Sequence, residues 1–552
     1  VTPVTVSGIR WAVPAYAFAL TAVVTATLLS PGYLLIRDAV STPRSYVSDS
    51  AIGLGESAPR AVPQDFAVAV LSAVVDGGVV VKALLITALW LAGCGAGLLA
   101  RQLLPEAGVP GQLVAVTVAI WNPYVAERLL QGHWSLLLGY GCLPWVASAA
   151  LRMNWAAIVF WIALAGFTPT GLLMAAIVGL VCSLSRGRFR CAATVTGISA
   201  LAALPWFLAS MMGGTSEIPQ VAGLAPFAAR AEPGLGTLGS LAGLGGIWNA
   251  GSVPDSRTTG FAVVGTVVLL AVVACGLPGV VRRRNTEPLV MLAMAAVLLP
   301  AAMATAPGMA ALRAAVQAVP GLAVLRDAQK WVALAMPGYA LAGAAAVLAL
   351  SRWTRPALAA LGCCVALLAV LPDLAWGVGG HLRPVHYPPG WAATAGRINA
   401  DPQTVAVLPA GTMRRFDWSG SPPVLDPLPR WLRAEVLTTG DLVIAGETVV
   451  GEGARARQVQ RLLESGSDAS DLAAAGVGWL VVQHGTPGAM GDAARTLQQL
   501  TPTYADADMA VYRIGGVSPV APHWKRTVVI GAHLLWAAML LGAAGTRISR
   551  RD

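Results

Sequence analysis

Apolar runs of membrane-spanning length recur along almost the whole chain, and no other feature constrains its fold as strongly. A spanning helix needs roughly 17–25 predominantly apolar residues to cross a hydrocarbon core of about 30 Å. About twelve segments qualify on that criterion, near 11–30, 80–100, 110–126, 134–151, 154–168, 170–184, 191–212, 259–280, 288–306, 331–350, 356–376 and 525–546. The fifth and sixth are short and separated only by Thr168-Pro169-Thr170, the signature of a tight or re-entrant hairpin, so the count lies between about ten and thirteen. Only 12% of the 552 residues are charged, about half the share of a soluble domain. The chain must therefore use lipid as its solvent over most of its length.

Arginines set the orientation. Arg10, Arg101, Arg152, the cluster Arg186/Arg188/Arg190, Arg282-Arg283-Arg284, Arg352/Arg355 and Arg547/Arg550/Arg551 fall at one set of span ends, in short segments nearly free of acid. This positive-inside pattern makes both termini cytoplasmic. The run from Trp11 to Ser30 lacks a small-residue cleavage site and reads as a retained first span. Everything long falls on the opposite side: 31–79, 213–258, 307–330 and 377–523. In the last, Thr404–Leu408, Trp479–Gln483 and Met509–Arg513 read as strands, and Ala454–Leu463 and Asp468–Ala475 as helices. The expected architecture is a polytopic α-helical membrane protein of about twelve spans. Residues 1–376 form the bundle, 377–523 a small extracytoplasmic α/β domain, and 524–552 a final span and cytoplasmic tail in the plasma (inner) membrane. No internal repeat is evident, which argues against a transporter built on inverted repeats.

The net charge of +10 does not point to nucleic acid, because many of the cations punctuate apolar runs and none form one patch with interleaved aromatics. All seven cysteines lie in or beside apolar stretches and imply neither a disulfide framework nor a thiol metal centre. Walker, His-Glu-x-x-His, nucleophile-elbow and dinucleotide motifs are absent. Gly-Leu-Gly-Gly at 243–246 reads as a flexible outer loop.

Where charge is scarce, its placement is informative. The first long loop carries Asp38, Asp49, Glu56, Asp65 and Asp76, with Arg37, Arg44 and Arg60. Asp38 follows the first span by a few residues, where a carboxylate can act as general base on a hydroxyl approaching from water; a solvated loop charge is the bland alternative. Trp121-Asn122-Pro123-Tyr124, Glu127-Arg128 and Gly132-His133-Trp134 meet between the third and fourth spans, as a substrate pocket or as an aromatic belt with a structural ion pair. Arg326 and Lys330 stand one helical turn apart in Leu-Arg-Asp-Ala-Gln-Lys-Trp, a spacing suited to a lipid phosphate or to snorkelling beside Trp331.

The run from Asn122 to Trp134, with Leu136-Leu137-Leu138-Gly139-Tyr140, resembles a segment of large actinobacterial membrane proteins of the GT-C glycosyltransferase superfamily, including the arabinofuranosyltransferase D group. Leu325–Trp331 is similar to a segment of the same proteins, and Arg37-Asp38 and Arg60–Asp65 resemble their relatives. The resemblance covers roughly 10–380. It implies inverting transfer of a sugar, of the arabinose or mannose class, from a polyprenyl-phosphate donor to an envelope glycan or glycolipid on the outer face. The family's base maps onto Asp38. Many relatives carry an acidic pair there, whereas Asp38 is flanked by Arg37 and the next acid is Asp49, which leaves Asp65 as a rival. Arg60, Arg128, Arg326 and Lys330 would hold the lipid phosphate, beside a pocket of Glu127, His133 and Trp134. No metal site has convincing ligand spacing, and Mg or Mn is left open. Implied partners are the lipid-linked donor, the acceptor, membrane lipid and other envelope-synthesis proteins; the alternative class is a flippase, carrier or scaffold for lipid-linked glycans.

Overall fold

The computed structural model describes residues 6–56, 58–213, 223–444, 446–517 and 521–548. Arg550 and Arg551 of the expected tail, and 214–222 of the loop 213–258, lie outside them. Among the described residues, eight helices are long and apolar enough to cross a membrane: Trp11–Leu29, Gly77–Leu103, Pro105–Leu130, Trp134–Arg152, Phe189–Met212, Phe261–Val281, Ala328–Leu350 and His523–Gly545. Two further helix pairs are bent, Glu287–Met303 with Ala306–Ala318 by 93° and Pro356–Ala369 with Pro372–Gly379 by 77°, which brings the spans to as many as ten. The chain is a multi-pass membrane protein, with fewer full spans than the expected dozen.

The shortfall has local causes. Trp155–Ala165 is an apolar helix of 11 residues, and at 1.5 Å per residue it rises only about 16 Å. Thr168 ends that stretch and caps the next helix, its Oγ1 accepting from Gly171 N at 3.1 Å. Thr305 caps Ala306–Ala318 in the same way. That helix takes up the first part of segment 307–330, expected as a loop, and lies across its predecessor. Small residues let the spans cross closely: a Cβ at Gly276 would run into the backbone of Ala342 and Ala346.

The span Pro105–Leu130 breaks at Trp121-Asn122. Asn122 takes an extended conformation, and its Oδ1 accepts from Val125 N at 3.1 Å. Its amide donates back to the carbonyls of Val118 and Ala119, which the break would leave unpaired. Pro123 then occupies the first helical turn, where its missing N–H costs nothing. The short helix Pro123–Leu130 thus changes direction inside the bundle and is buried along its whole length.

Towards the other end of the chain, Val405–Leu408 pairs in parallel with Trp479–Gln483, which pairs antiparallel with Met509–Arg513, itself flanked by Pro502–Ala505. The expected helices appear as Ala454–Glu464 and Ala469–Ala474. One face of this α/β region buries Trp391, Phe416, Trp431 and Val511; the other packs Leu408, Leu463, Leu472 and Leu480. Trp418 and Trp431 belong to this aromatic core, while Tyr504 lies under the Arg397 guanidinium.

A hairpin joins the two regions. Leu35–Ile36 pairs with Ala39–Val40, leaving Arg37 and Asp38 as its two-residue turn. Because side chains alternate across a strand, Leu35 and Val40 enter the α/β core while Leu34, Ile36 and Ala39 enter the bundle core.

Candidate functional site

The hairpin turn presents its acid to a cleft. Arg37 has a positive φ of 47°, the conformation that tight hairpin turns demand at their first position. The turn holds Arg37 there: its N–H donates to Pro423 O, its carbonyl accepts from Leu425 N, and its guanidinium donates to the carbonyls of Leu130 and Gly251. Asp38 N donates to Gln131 O at 3.2 Å. Gly132 lies flat against the hairpin, where a Cβ would meet Ala39 N and Ile36 O. Asp38 is therefore fixed from both sides.

The cleft measures about 940 Å³ and is lined from the bundle, the loop before Gln64 and the α/β region. Asp38, Arg60, Asp65, His133, Trp134, Arg326 and Lys330 all border it, so seven of the nine candidate residues share one space. Glu127 and Arg128 do not. Both are fully buried behind the wall, and this corrects their expected contact with substrate and lipid phosphate. Arg128 grips Asp327 with two hydrogen bonds of 3.0 and 3.1 Å and donates again to Gln329 Oε1. Glu127 accepts from Gln329 Nε2 at 2.8 Å and from the N–H groups of Gly246 and Ile247. Removing either partner of such a buried set would leave a polar group without water or a replacement for it. The same bonds pin the glycine-rich stretch at 243–246, which is buried rather than the flexible loop expected.

Asp38 Oδ2 accepts from His133 Nε2 at 2.8 Å and from Gln131 Nε2 at 3.1 Å. No hydrogen bond from the described residues reaches Oδ1. Burial would raise the Asp38 carboxyl, but the hydrogen bonds from His133 and the Gln131 amide and nearby Lys330 outweigh it and hold the group below its usual range. His133 is pushed below its ordinary value by burial, with Lys330 and Arg128 adding to the effect against the pull of Asp38. Gln131 is itself oriented, its Oε1 accepting from Asn249 and Ser252, each at 2.7 Å.

The cations differ in how they are occupied. Lys330 Nζ sits 3.5 Å from Asp327 and keeps a quarter of its side chain exposed. Arg326 stacks over Phe227 at 4.5 Å; burial and neighbouring Arg60 lower its pKa to about 10, so it stays charged at neutral pH. Arg60 is half-exposed and paired with Glu452. Asp65 is held more loosely than Asp38, by the Gln64 amide at 3.0 Å and Arg430 at 3.4 Å. Among the described residues no group of three His, Cys, Asp or Glu is placed to hold a metal ion. Sequence reasoning missed Gln131 and Asp327, although both stand inside segments it had singled out.

The fold that combines these broken spans, the carboxylate turn and the α/β region is one already seen in a solved structure. The chain is similar to the cryo-EM structure of arabinofuranosyltransferase AftD from Mycobacteria, with a TM-score of 0.59 at 17% identity, over 92% of this chain and 40% of that one. It thus spans about two fifths of the length of that structure. No protein-family model and no curated protein matches the chain.

Proposed function

We propose that the chain is a glycosyltransferase that takes a sugar of the arabinose or mannose class from a polyprenyl-phosphate donor. The acceptor is a hydroxyl of an envelope glycan or glycolipid, reached on the extracytoplasmic side of the plasma membrane. The observation that carries this reading is Asp38, with one carboxylate oxygen pinned, the other free of hydrogen bonds from the described residues, and uncommitted positive charge on the same cleft. The fold shared with AftD, whose name states arabinofuranosyl transfer, supports it.

In this reading Asp38 Oδ1 takes the proton of the acceptor hydroxyl as the oxygen attacks the anomeric carbon. The bond from that carbon to the phosphate oxygen breaks on the opposite face, and its electron pair leaves with the lipid phosphate. One displacement inverts the configuration. A phosphate already leaves as a stable anion, so no general acid is needed. Lys330 and Arg326 balance the charge gathering on it, with Arg60 at the rim, and Trp134 walls the cleft. A positioned base contributes roughly 10²–10⁴-fold.

The test is sugar transfer by protein in nanodiscs, with polyprenyl-phosphate arabinose and polyprenyl-phosphate mannose supplied separately. Wild type should use one donor and D38N should lose transfer while keeping its fold. Full transfer by D38N would move the choice of base to Asp65, and full transfer by D38N and D65N alike would sink the reading.

A further inference from the structure

Asp38 does not stand alone against His133. The imidazole's other nitrogen, Nδ1, lies 3.0 Å from Arg128 Nη1. A guanidinium carries only donors and does not lose its proton in a protein. Nδ1 must therefore accept, so it carries no hydrogen, and the neutral ring's one N–H sits on Nε2. That N–H points at Asp38 Oδ2. Arg128 cannot turn away, because Asp327 holds its fork from the far side and Gln329, itself tied to Glu127, holds the same edge.

We infer that His133 is a positioning residue, locked by Arg128 as the neutral Nε2–H tautomer, whose one hydrogen bond fixes the Asp38 carboxylate with Oδ1 turned to the substrate. The inference rests on the proposed transfer reaction for its consequence and on the hydrogen-bond chain for its geometry. It gives Arg128 a role unlike phosphate binding. The guanidinium excludes the doubly protonated ring, which would otherwise share its proton with Asp38 and neutralise the base. The charged groups facing His133 are Asp38 from the hairpin, Arg128 from the short buried helix, and Asp327 and Lys330 from the segment before and at the start of the span Ala328–Leu350.

A ring-nitrogen experiment tests the lock without any substrate. In protein carrying ¹⁵N-histidine, with H133Q as the blank that identifies the resonance, Nδ1 should appear as a bare lone-pair nitrogen and Nε2 as protonated at neutral pH. A protonated Nδ1 there overturns the inference. Replacing Arg128 by Met together with Asp327→Asn, so that no buried carboxylate is left unpaired, should let Nδ1 take a proton; an unchanged spectrum overturns it too.

Kinetics test the positioning. Glutamine offers an acceptor and a donor on one side chain, as the locked imidazole does, so H133Q should recover most of the transfer that H133A loses. We expect about a hundredfold loss of kcat in H133A, with KM for the donor little changed, and less than tenfold in H133Q. The acid limb of the pH profile should stay in place in H133Q, because a ring locked neutral does not set it. Equal losses in the two variants, or an acid limb that moves to lower pH in H133Q, overturn the inference. Absence of transfer from any donor by wild type overturns the transfer reading instead, and leaves the nitrogen spectrum to decide the tautomer.

Discussion

Ion pairs around the cleft are held in two opposite ways. On the bundle side Arg128 is buried against Asp327 at 3.0 Å, and Arg257 and Glu232 form a second pair, both fully buried. On the α/β side Asp65 meets Arg430 at 3.4 Å and Glu435 meets Arg455 at 3.4 Å, with about a fifth of each side chain in contact with solvent. Tight, dry pairs fix geometry and cannot rearrange cheaply, because separating them strands a charge in a low dielectric. Loose, wet pairs contribute little and exchange readily. Arg128 and Asp327 are thus preorganised, as chemistry at fixed distances requires, whereas the pairs of Asp65 and Glu435 can yield to a ligand; Arg414 and Asp426, buried in the α/β region, belong with the fixed kind.

The sharpest way to break this comparison is to remove one charged group at a time. D38N should lower kcat by about 10²–10⁴-fold, the range of a lost general base. Next in size is stability. R128M alone leaves Asp327 buried without its partner and should cost about 3–5 kcal/mol, read as a loss of thermal stability in detergent. R455M in the α/β region should cost no more than about 1 kcal/mol. If the two variants melt alike, the distinction between the two kinds of pair is lost. Smaller again is the donor effect: K330M and R326M should each weaken donor binding by about tenfold, as expected for a charged hydrogen bond of about 1.5 kcal/mol, seen in KM rather than in folding. The smallest change belongs to D65N, which should stay within about threefold of wild type because its ion pair is partly exposed.

Acidification sharpens the same contrast. Asp38 and Asp327 are held below the ordinary carboxylate range, the latter chiefly because Arg128 and Lys330 overcome its burial. Their stabilisation is fully present above the unfolded value of about 3.9 and is lost as pH falls towards the folded ones. His133 acts in the same direction from higher pH, since the unfolded chain takes a proton near 6.5 while the buried ring refuses it. Melting temperature should therefore decline from about pH 6.5 downward, and H133Q should flatten the first part of that decline.

How much of this was legible in the sequence depends on whether the signal was local. Asp38, His133, Arg326 and Lys330 could be picked out because a charge near a span end is conspicuous, and they do meet at one cleft. The partners could not be paired: Arg128 and Asp327 are 199 positions apart, and nothing in either segment names the other. Reading Arg128 as a phosphate ligand followed from seeing a cation without seeing its carboxylate. The number of spans, expected between about ten and thirteen, meets the eight to ten found among the described residues only at its lower end. Hydropathy measures how apolar a run is, whereas crossing requires unbroken length, and the apolar stretch around Thr168 is divided into helices of 11 and 16 residues. Strands such as Trp479–Gln483 were readable because β-branched and aromatic residues crowd a short run between glycines and polar residues.

The hairpin at Leu35–Val40 has a consequence for how such a protein could be taken apart. Its alternate side chains belong to different cores, so it works as a seam with stitches on both sides, and Arg37 is knotted to Pro423 and Leu425 on one side and to Leu130 and Gly251 on the other. A chimaera that exchanged the α/β region alone would leave half of the seam facing a stranger, and the residue at its fold is Asp38. Any exchange that keeps the acid in place has to carry residues 33–42 along with the region they are sewn to.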